Sequence, residues 1–231
     1  MDMKKNNGFL WKNSDAYLFD IDGTLLLSKD RTHRYALHRA MLDVYGVETT
    51  IDGIAYHGKT DVGILRAALE RAGIATDVIN QHMPEALQVV RRDATEKAER
   101  FAPNVLPGIR EILDLLQGSG KLLGVASGNL ELVGWLKLKA AGLRDYFAFG
   151  CFTDEWEMRD EIFRAAVAQV RRKLGPKAAV CFVGDTPDDV RAARSAGARI
   201  IAVGTGIFKV EDLATHGPDA LISCCSDLLA L

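Results

Sequence analysis

Short apolar runs bounded by Gly, Asp or Ser recur along the chain, at Ala16–Phe19, Lys121–Ala126, Ala178–Val183, Arg199–Val203 and Asp219–Ser223. Each is strand-sized and rich in Val, Ile, Leu or Phe. Helix-period segments lie between the later runs, at roughly Leu130–Ala141, Asp160–Leu174 and Pro187–Ala196. The last opens with Pro at a favoured first-turn position. Strand alternating with helix specifies an α/β fold with a doubly wound parallel sheet. Continuously apolar strands suit such a sheet, because helices cover both of its faces.

One stretch breaks the alternation. From Arg31 to Arg100 the patterns are helical only, including Tyr35–Tyr45, Val62–Ala72 and Val78–Arg100. This insertion of about 70 residues is domain-sized, and Pro103 and Pro107-Gly108 mark where the chain returns to the sheet. The expected organisation is a core of residues 1–30 and 101–231 with a helical cap over 31–100.

At 231 residues the chain is long enough for one large domain or one domain with an insertion. Lys+Arg total 29 against 31 Asp+Glu, a formal charge of −2, so no basic excess favours a nucleic-acid partner. The four cysteines, Cys151, Cys181, Cys224 and Cys225, form no C-x-x-C pair and read as reduced, mostly buried thiols. The N-terminal stretch lacks the apolar core of an export signal, and no run is long enough to span a membrane. A cytoplasmic protein with no membrane partner is expected; oligomeric state is not legible.

Ligands of open α/β sheets bind at the carboxyl ends of the strands, so polar residues ending apolar runs are the candidates. Asp20 ends the first run and Asp22 follows, two positions on, so an extended backbone points both carboxylates to one side. A turn with an Asp cap is the bland reading of Asp20-Ile21-Asp22-Gly23-Thr24; its place directly after an apolar strand weighs against it. Gly184-Asp185 ends the third run, with Asp188 and Asp189 at the next helix start. Carboxylates converging from separate strand ends repel unless a hard divalent cation lies among them, and Mg²⁺ fits an oxygen-only set. The second run ends in Ser127-Gly128-Asn129 before a helix, where backbone N–H groups and the dipole favour an anion, although Ser127 also reads as a simple N-cap. Metal site, anion site and spare carboxylates together suggest phosphoryl transfer, with Asp20 as nucleophile through an aspartyl-phosphate.

These motifs, in this order, resemble the haloacid dehalogenase superfamily, in particular its capped, phosphoglycolate-phosphatase-like branch. The resemblance covers nearly the whole chain through Asp20-Ile21-Asp22-Gly23-Thr24, Ser127-Gly128-Asn129 and Gly184-Asp185-Thr186-Pro187-Asp188-Asp189. It implies a Rossmann-like core in which Asp20 attacks phosphorus, while Asp22 protonates the leaving oxygen and then activates water. Mg²⁺ would be held by the Asp20 carboxylate, the Asp22 main-chain carbonyl and Asp185. Ser127 and the amides that follow, Gly128 and Asn129, would bind phosphoryl oxygens, and Asp189 would orient metal waters or the nearby cation. As a proton donor Asp22 is expected to have a raised pKa.

The family's usual third-motif Lys is missing here. The segment reads Glu157-Met158-Arg159-Asp160-Glu161, and Arg159 is the candidate substitute, a planar charge in place of a compact one. In the insertion, His57-Gly58-Lys59-Thr60-Asp61 resembles the loop that relatives point back at the active site. Lys59 is thus a candidate substrate contact, with Thr60 a plausible N-cap. The histidines have no metal-binding spacing, and Gly204-Thr205-Gly206 reads as a loop near the phosphate pocket rather than a dinucleotide fingerprint. The expected function is a Mg²⁺-dependent phosphatase acting on a small phosphorylated metabolite. A phosphosugar mutase of the same superfamily and a weakly active phosphate-binding or regulatory protein are the alternatives.

Overall fold

The computed structural model describes residues 10–230; the stretch 1–9 of the N-terminal segment and residue 231 lie outside the described residues. The strands are β1 (Ala16–Phe19), β2 (Leu26–Ser28), β3 (Pro103–Val105), β4 (Leu122–Ala126), β5 (Phe149–Cys151), β6 (Val180–Gly184), β7 (Arg199–Val203) and β8 (Ala220–Ile222). Six of them form one sheet in the order β5-β4-β1-β6-β7-β8, with every pair parallel. All residues of β1 and β6 are buried, as a sheet covered on both faces requires.

Alternate residues of β1 serve opposite faces. Tyr17 and Phe19 pack with Ile109, Ile112, Leu113 and Leu116 of helix α4 (Ile109–Gly118, numbered after the three helices of the insertion). Ala16 and Leu18 belong to the other face, with Ile162, Phe163, Ala166 and Val170. There the Phe163 ring stacks on Phe182 of β6 at 4.1 Å.

The insertion supplies α1 (Thr32–Tyr45), α2 (Asp61–Arg71) and α3 (Thr76–Glu96). Leu37, Met41, Leu65, Leu69, Met83 and Val90 give these helices an apolar cluster of their own, which also takes in Leu130 and Val133 from the sheet region. The chain leaves for the helices after β2 and returns at β3, and these strands pair antiparallel, Leu26 opposite Val105. Both crossings are thereby tied together. Arg31, at the entry to α1, has φ 59° and is the one non-glycine residue with positive φ among the described residues.

The remaining helices are α5 (Glu131–Ala140), α6 (Arg159–Leu174), α7 (Pro187–Ser195) and α8 (Val210–Ala214). The alternation read from the sequence omits β2, β3 and β5, and likewise α4 and α8. No helix among the described residues is long and apolar enough to cross a membrane.

Candidate active site

The parallel register puts Phe19 opposite Val125 of β4 and Val183 of β6. Asp20, one residue on, and Ser127 and Asp185, two residues on, therefore leave neighbouring strand ends together, where the connections on either side of β1 run in opposite directions and open a crevice. All three are buried, at 5%, 1% and 3% exposure. Asp20, Asp185 and Asp189 bring one carboxylate oxygen each within 4.8 Å of one another, an all-oxygen donor set suited to a hard divalent cation.

The surroundings of these carboxylates differ. Asp189 is fully engaged: Oδ2 accepts from Thr186 N (2.9 Å) and Oγ1 (2.7 Å), and Oδ1 from Arg159 Nε (2.8 Å). Asp185 Oδ1 accepts from Thr24 Oγ1 at 2.9 Å. Its Oδ2 lies in a cradle of backbone: a Cβ on Gly206 would fall 1.8 Å from it and one on Gly23, at φ +90°, 2.3 Å. Glycine is required at both places. The loop of Gly204-Thr205-Gly206 therefore belongs to the site, and Thr205 Oγ1 also donates to Gly23 O at 2.6 Å.

Arg159, the first residue of α6, is 5% exposed and reaches the centre. Its Nη2 lies 3.0 Å from Asp20 Oδ1 and 2.6 Å from Asp189 Oδ1. These are ion-pair contacts without hydrogen-bond alignment, so Nη2 is buried with no aligned acceptor. Nη1 donates to Gly58 O in the helical insertion at 3.2 Å. Burial pushes the Asp20 carboxyl up to about 6; Arg159 opposes this and the charges of Asp189 and Asp22 add to it. Asp185 is likewise raised by burial and by Asp20.

Asp22 points elsewhere. Its Oδ2 accepts from Lys137 Nζ at 2.6 Å and from Asn129 Nδ2 at 2.8 Å. Burial pushes its pKa up, but the Lys137 ammonium and the hydrogen bonds of Lys137 and Asn129 outweigh that, and the carboxyl is held below its ordinary range. The expectation of a raised value for Asp22 is thus corrected, and the cause is a buried lysine absent from the motifs. Lys137 is 3% exposed and occupies a position in the stripe Leu130, Val133, Gly134, Lys137 and Leu138, where helical spacing predicts an apolar residue. A lysine in that stripe was the signal for it.

The loop after β4 departs from the N-cap alternative for Ser127. Leu130 N donates to Asp61 Oδ2 (2.7 Å) and Glu131 N to Asp154 Oδ2 (2.5 Å), so amides at the start of α5 already hold protein carboxylates. Ser127 is no N-cap, since Leu130 occupies that position. Its Oγ accepts from Asn129 Nδ2 at 2.8 Å, which leaves its own proton available to a ligand. The Asn129 side chain is a brace between Asp22, Ser127 and Lys137.

The helical insertion closes over this floor. Asp61 N donates to Gly128 O (2.8 Å), Thr60 Oγ1 to Glu157 O (2.7 Å), and Arg66 holds Glu157 through two bonds of 2.7 and 2.9 Å. Thr60 caps α2 through Gly63 N, as its position predicts. Lys59 is half exposed, with its ammonium 3.5 Å from Asp188 Oδ2. His33 is satisfied by Asp61 at 3.0 Å. Between floor and roof is a cavity of about 810 Å³ lined by Asp20, Asp22, Ser127, Arg159 and Asp185 below and by Arg31, His57 and Lys59 above.

A family model for haloacid dehalogenase-like hydrolases matches residues 14–197. The chain belongs to that family. A phosphoglycolate phosphatase of Synechococcus elongatus is 30% identical over 215 residues, covering 93% of this chain and 95% of the relative. Another, from Nitrosospira multiformis, is 25% identical over 212 residues, 90% of each chain. A pyrophosphatase PpaX of Bacillus pumilus is 30% identical over 125 residues, 53% of this chain and 57% of the relative. Among solved structures, a predicted phosphoglycolate phosphatase from Haemophilus somnus superposes with a TM-score of 0.70 at 21% identity, covering 94% of this chain and 97% of that one. CbbY from Rhodobacter sphaeroides, solved with phosphate, gives 0.65 at 18% identity over 88% and 96%. The chain is accordingly an enzyme of this hydrolase family, of the phosphatase kind.

Proposed function

We propose that this enzyme hydrolyses a small phosphomonoester in two steps through a phosphoryl group carried on Asp20. The observation that carries the reading is the buried Nη2 of Arg159, set 3.0 Å from Asp20 Oδ1 with no aligned acceptor of its own. A cation held beside a carboxylate nucleophile, with donors unspent, suits a phosphoryl oxygen arriving at that carboxylate. The Ser127 hydroxyl, on the neighbouring strand end, supplies a second donor.

Asp20 attacks phosphorus, the bond to the leaving oxygen breaks, and that oxygen takes a proton from Asp22. Water then attacks phosphorus, gives a proton to Asp22, and Asp20 is released. The ionised resting state of Asp22 suits the second step, and the arriving phosphoryl charge raises its pKa for the first. Asp20 and Asp185 are the residues that would hold Mg²⁺, whose charge would offset the repulsion between two carboxylates and a phosphoryl group. Asp189, with both oxygens engaged, acts by fixing Arg159.

The cavity suits a metabolite of modest size, and the cations at its roof favour a further anionic group on the substrate. Phosphoglycolate, named for several relatives, is the first compound to test. Phosphate release from a panel of phosphomonoesters, with Mg²⁺ and with chelator, is expected to be metal-dependent and lost in Asp20→Asn. Isomerised phosphosugar without phosphate release would instead establish a mutase.

A further inference from the structure

Lys137 has no part in the scheme above. An ammonium at an apolar helix position is costly to bury unless its partners compensate. Its hydrogen bonds go to Asp22 Oδ2 (2.6 Å) and Asn129 Oδ1 (2.8 Å), both at the site.

We propose that Lys137 is the positioning residue for Asp22, clamping Oδ2 so that Oδ1 is the oxygen that gives and takes the proton. The inference rests on the phosphatase reading. Its argument is geometric. Oδ2 receives donors from Lys137 and from the Asn129 amide, and neither nitrogen has a lone pair to accept a proton in return. A proton carried by Asp22 is therefore confined to Oδ1. Among the described residues Oδ1 has no hydrogen-bond partner, and Asp22 lines the cavity with its side chain 42% exposed. Asn129 extends the clamp, because its second amide proton goes to Ser127 Oγ and turns that hydroxyl's own proton outward. One buried ammonium thus fixes both the acid/base and a phosphate donor.

In chemical terms, the Asp20–phosphorus bond forms as the phosphorus–oxygen bond to the alcohol breaks. The electron pair stays on the leaving oxygen, which takes the proton from Asp22 Oδ1. In the return step a water oxygen bonds phosphorus, its proton passes to Oδ1, and the Asp20–phosphorus bond breaks.

A good leaving group needs no proton and a poor one does, so the test is single-turnover rates of the first step on aryl and alkyl phosphomonoesters of graded leaving-group acidity. Lys137→Met is expected to lose about 100-fold more rate on an alkyl phosphate than on p-nitrophenyl phosphate, within the range of general acid catalysis. Asp22→Asn should show the same steepening, and the double variant should be no worse than Asp22→Asn alone. An equal loss on all esters, or none, overturns the inference. Should Lys137→Met fail to fold, as judged by thermal melting, Lys137→Gln is read the same way: a steeper slope than wild type supports the clamp and an unchanged slope overturns it. Wild type that hydrolyses none of the esters overturns the phosphatase reading and the inference with it, whereas active wild type with an unchanged Lys137 slope overturns the inference alone.

Discussion

Asp20 and Asp22 are two residues apart on one strand end, yet their surroundings push them in opposite directions. Asp20 is 5% exposed and shares its space with two other carboxylates, so burial and repulsion raise its pKa to about 6 despite Arg159. Asp22 opens onto the cavity and has a buried ammonium to itself, which lowers its pKa. The first environment is built for a further positive charge and the second already contains one. In the proposed mechanism these environments divide the tasks of nucleophile and proton carrier between two chemically identical side chains.

The largest effect that could break this comparison is at Asp20. Asp20→Asn, nearly equal in volume, is expected to lower phosphate release by at least about 10³-fold, since an amide cannot act as the proposed carboxylate nucleophile. The metal-free variant should nonetheless be more stable than wild type in urea unfolding, because a repelling charge is gone.

Arg159→Ala comes next. It removes the proposed donor to the phosphoryl group and is expected to cost about 10²–10³ in kcat. It also leaves Asp20 and Asp189 buried without their cation, for a loss of about 3–5 kcal/mol in denaturant titration. Arg159→Lys should recover part of the activity, but a single ammonium cannot hold Asp189, Asp20 and Gly58 O together.

The metal sharpens the contrast through pH. Asp20 is raised in the folded chain from an ordinary 3.8 to about 6, so between these values the folded state holds more protons than the unfolded one. Metal-free stability therefore falls as pH rises across that window and stays lower above it. Mg²⁺ competes with those protons. Its stabilisation, about 2.7 kcal/mol at 100 times Kd, should be full at pH 7.5 and much smaller near pH 4.5 by thermal melting. Equal stabilisation at both values would place the cation elsewhere.

The smallest expected effect is at the roof. Lys59→Ala removes a half-exposed pair with Asp188, worth at most about 1 kcal/mol of stability. A rise in KM without a change in kcat would show Lys59 reading the substrate; no change in either would make it part of the seam alone.

Most of the nucleophile side was legible in the sequence, and much less of the proton-carrier side. Asp20, Ser127 and Asp185 each follow an apolar run, so a parallel sheet obliges them to meet. Arg159 was found through the gap left in a motif. Lys137 is 115 positions from Asp22 and on a helix whose period marks that face as core, so no local pattern tied the two together. The shift of Asp22 depends on that contact and could not be read without it. That the Leu130 amide meets a protein carboxylate was not legible either, because it depends on where the insertion places Asp61. The short strands β2, β3 and β5 are set by their partners rather than by their own sequence.

The central claim is that Asp20 carries the phosphoryl group. Acid quenching during turnover of a phosphomonoester with Mg²⁺, followed by peptide mass spectrometry, tests it most directly. The account predicts one phosphoryl group on the peptide containing Asp20, absent in Asp20→Asn. Full phosphate release by Asp20→Asn, with no phosphorylated peptide in either protein, would contradict it.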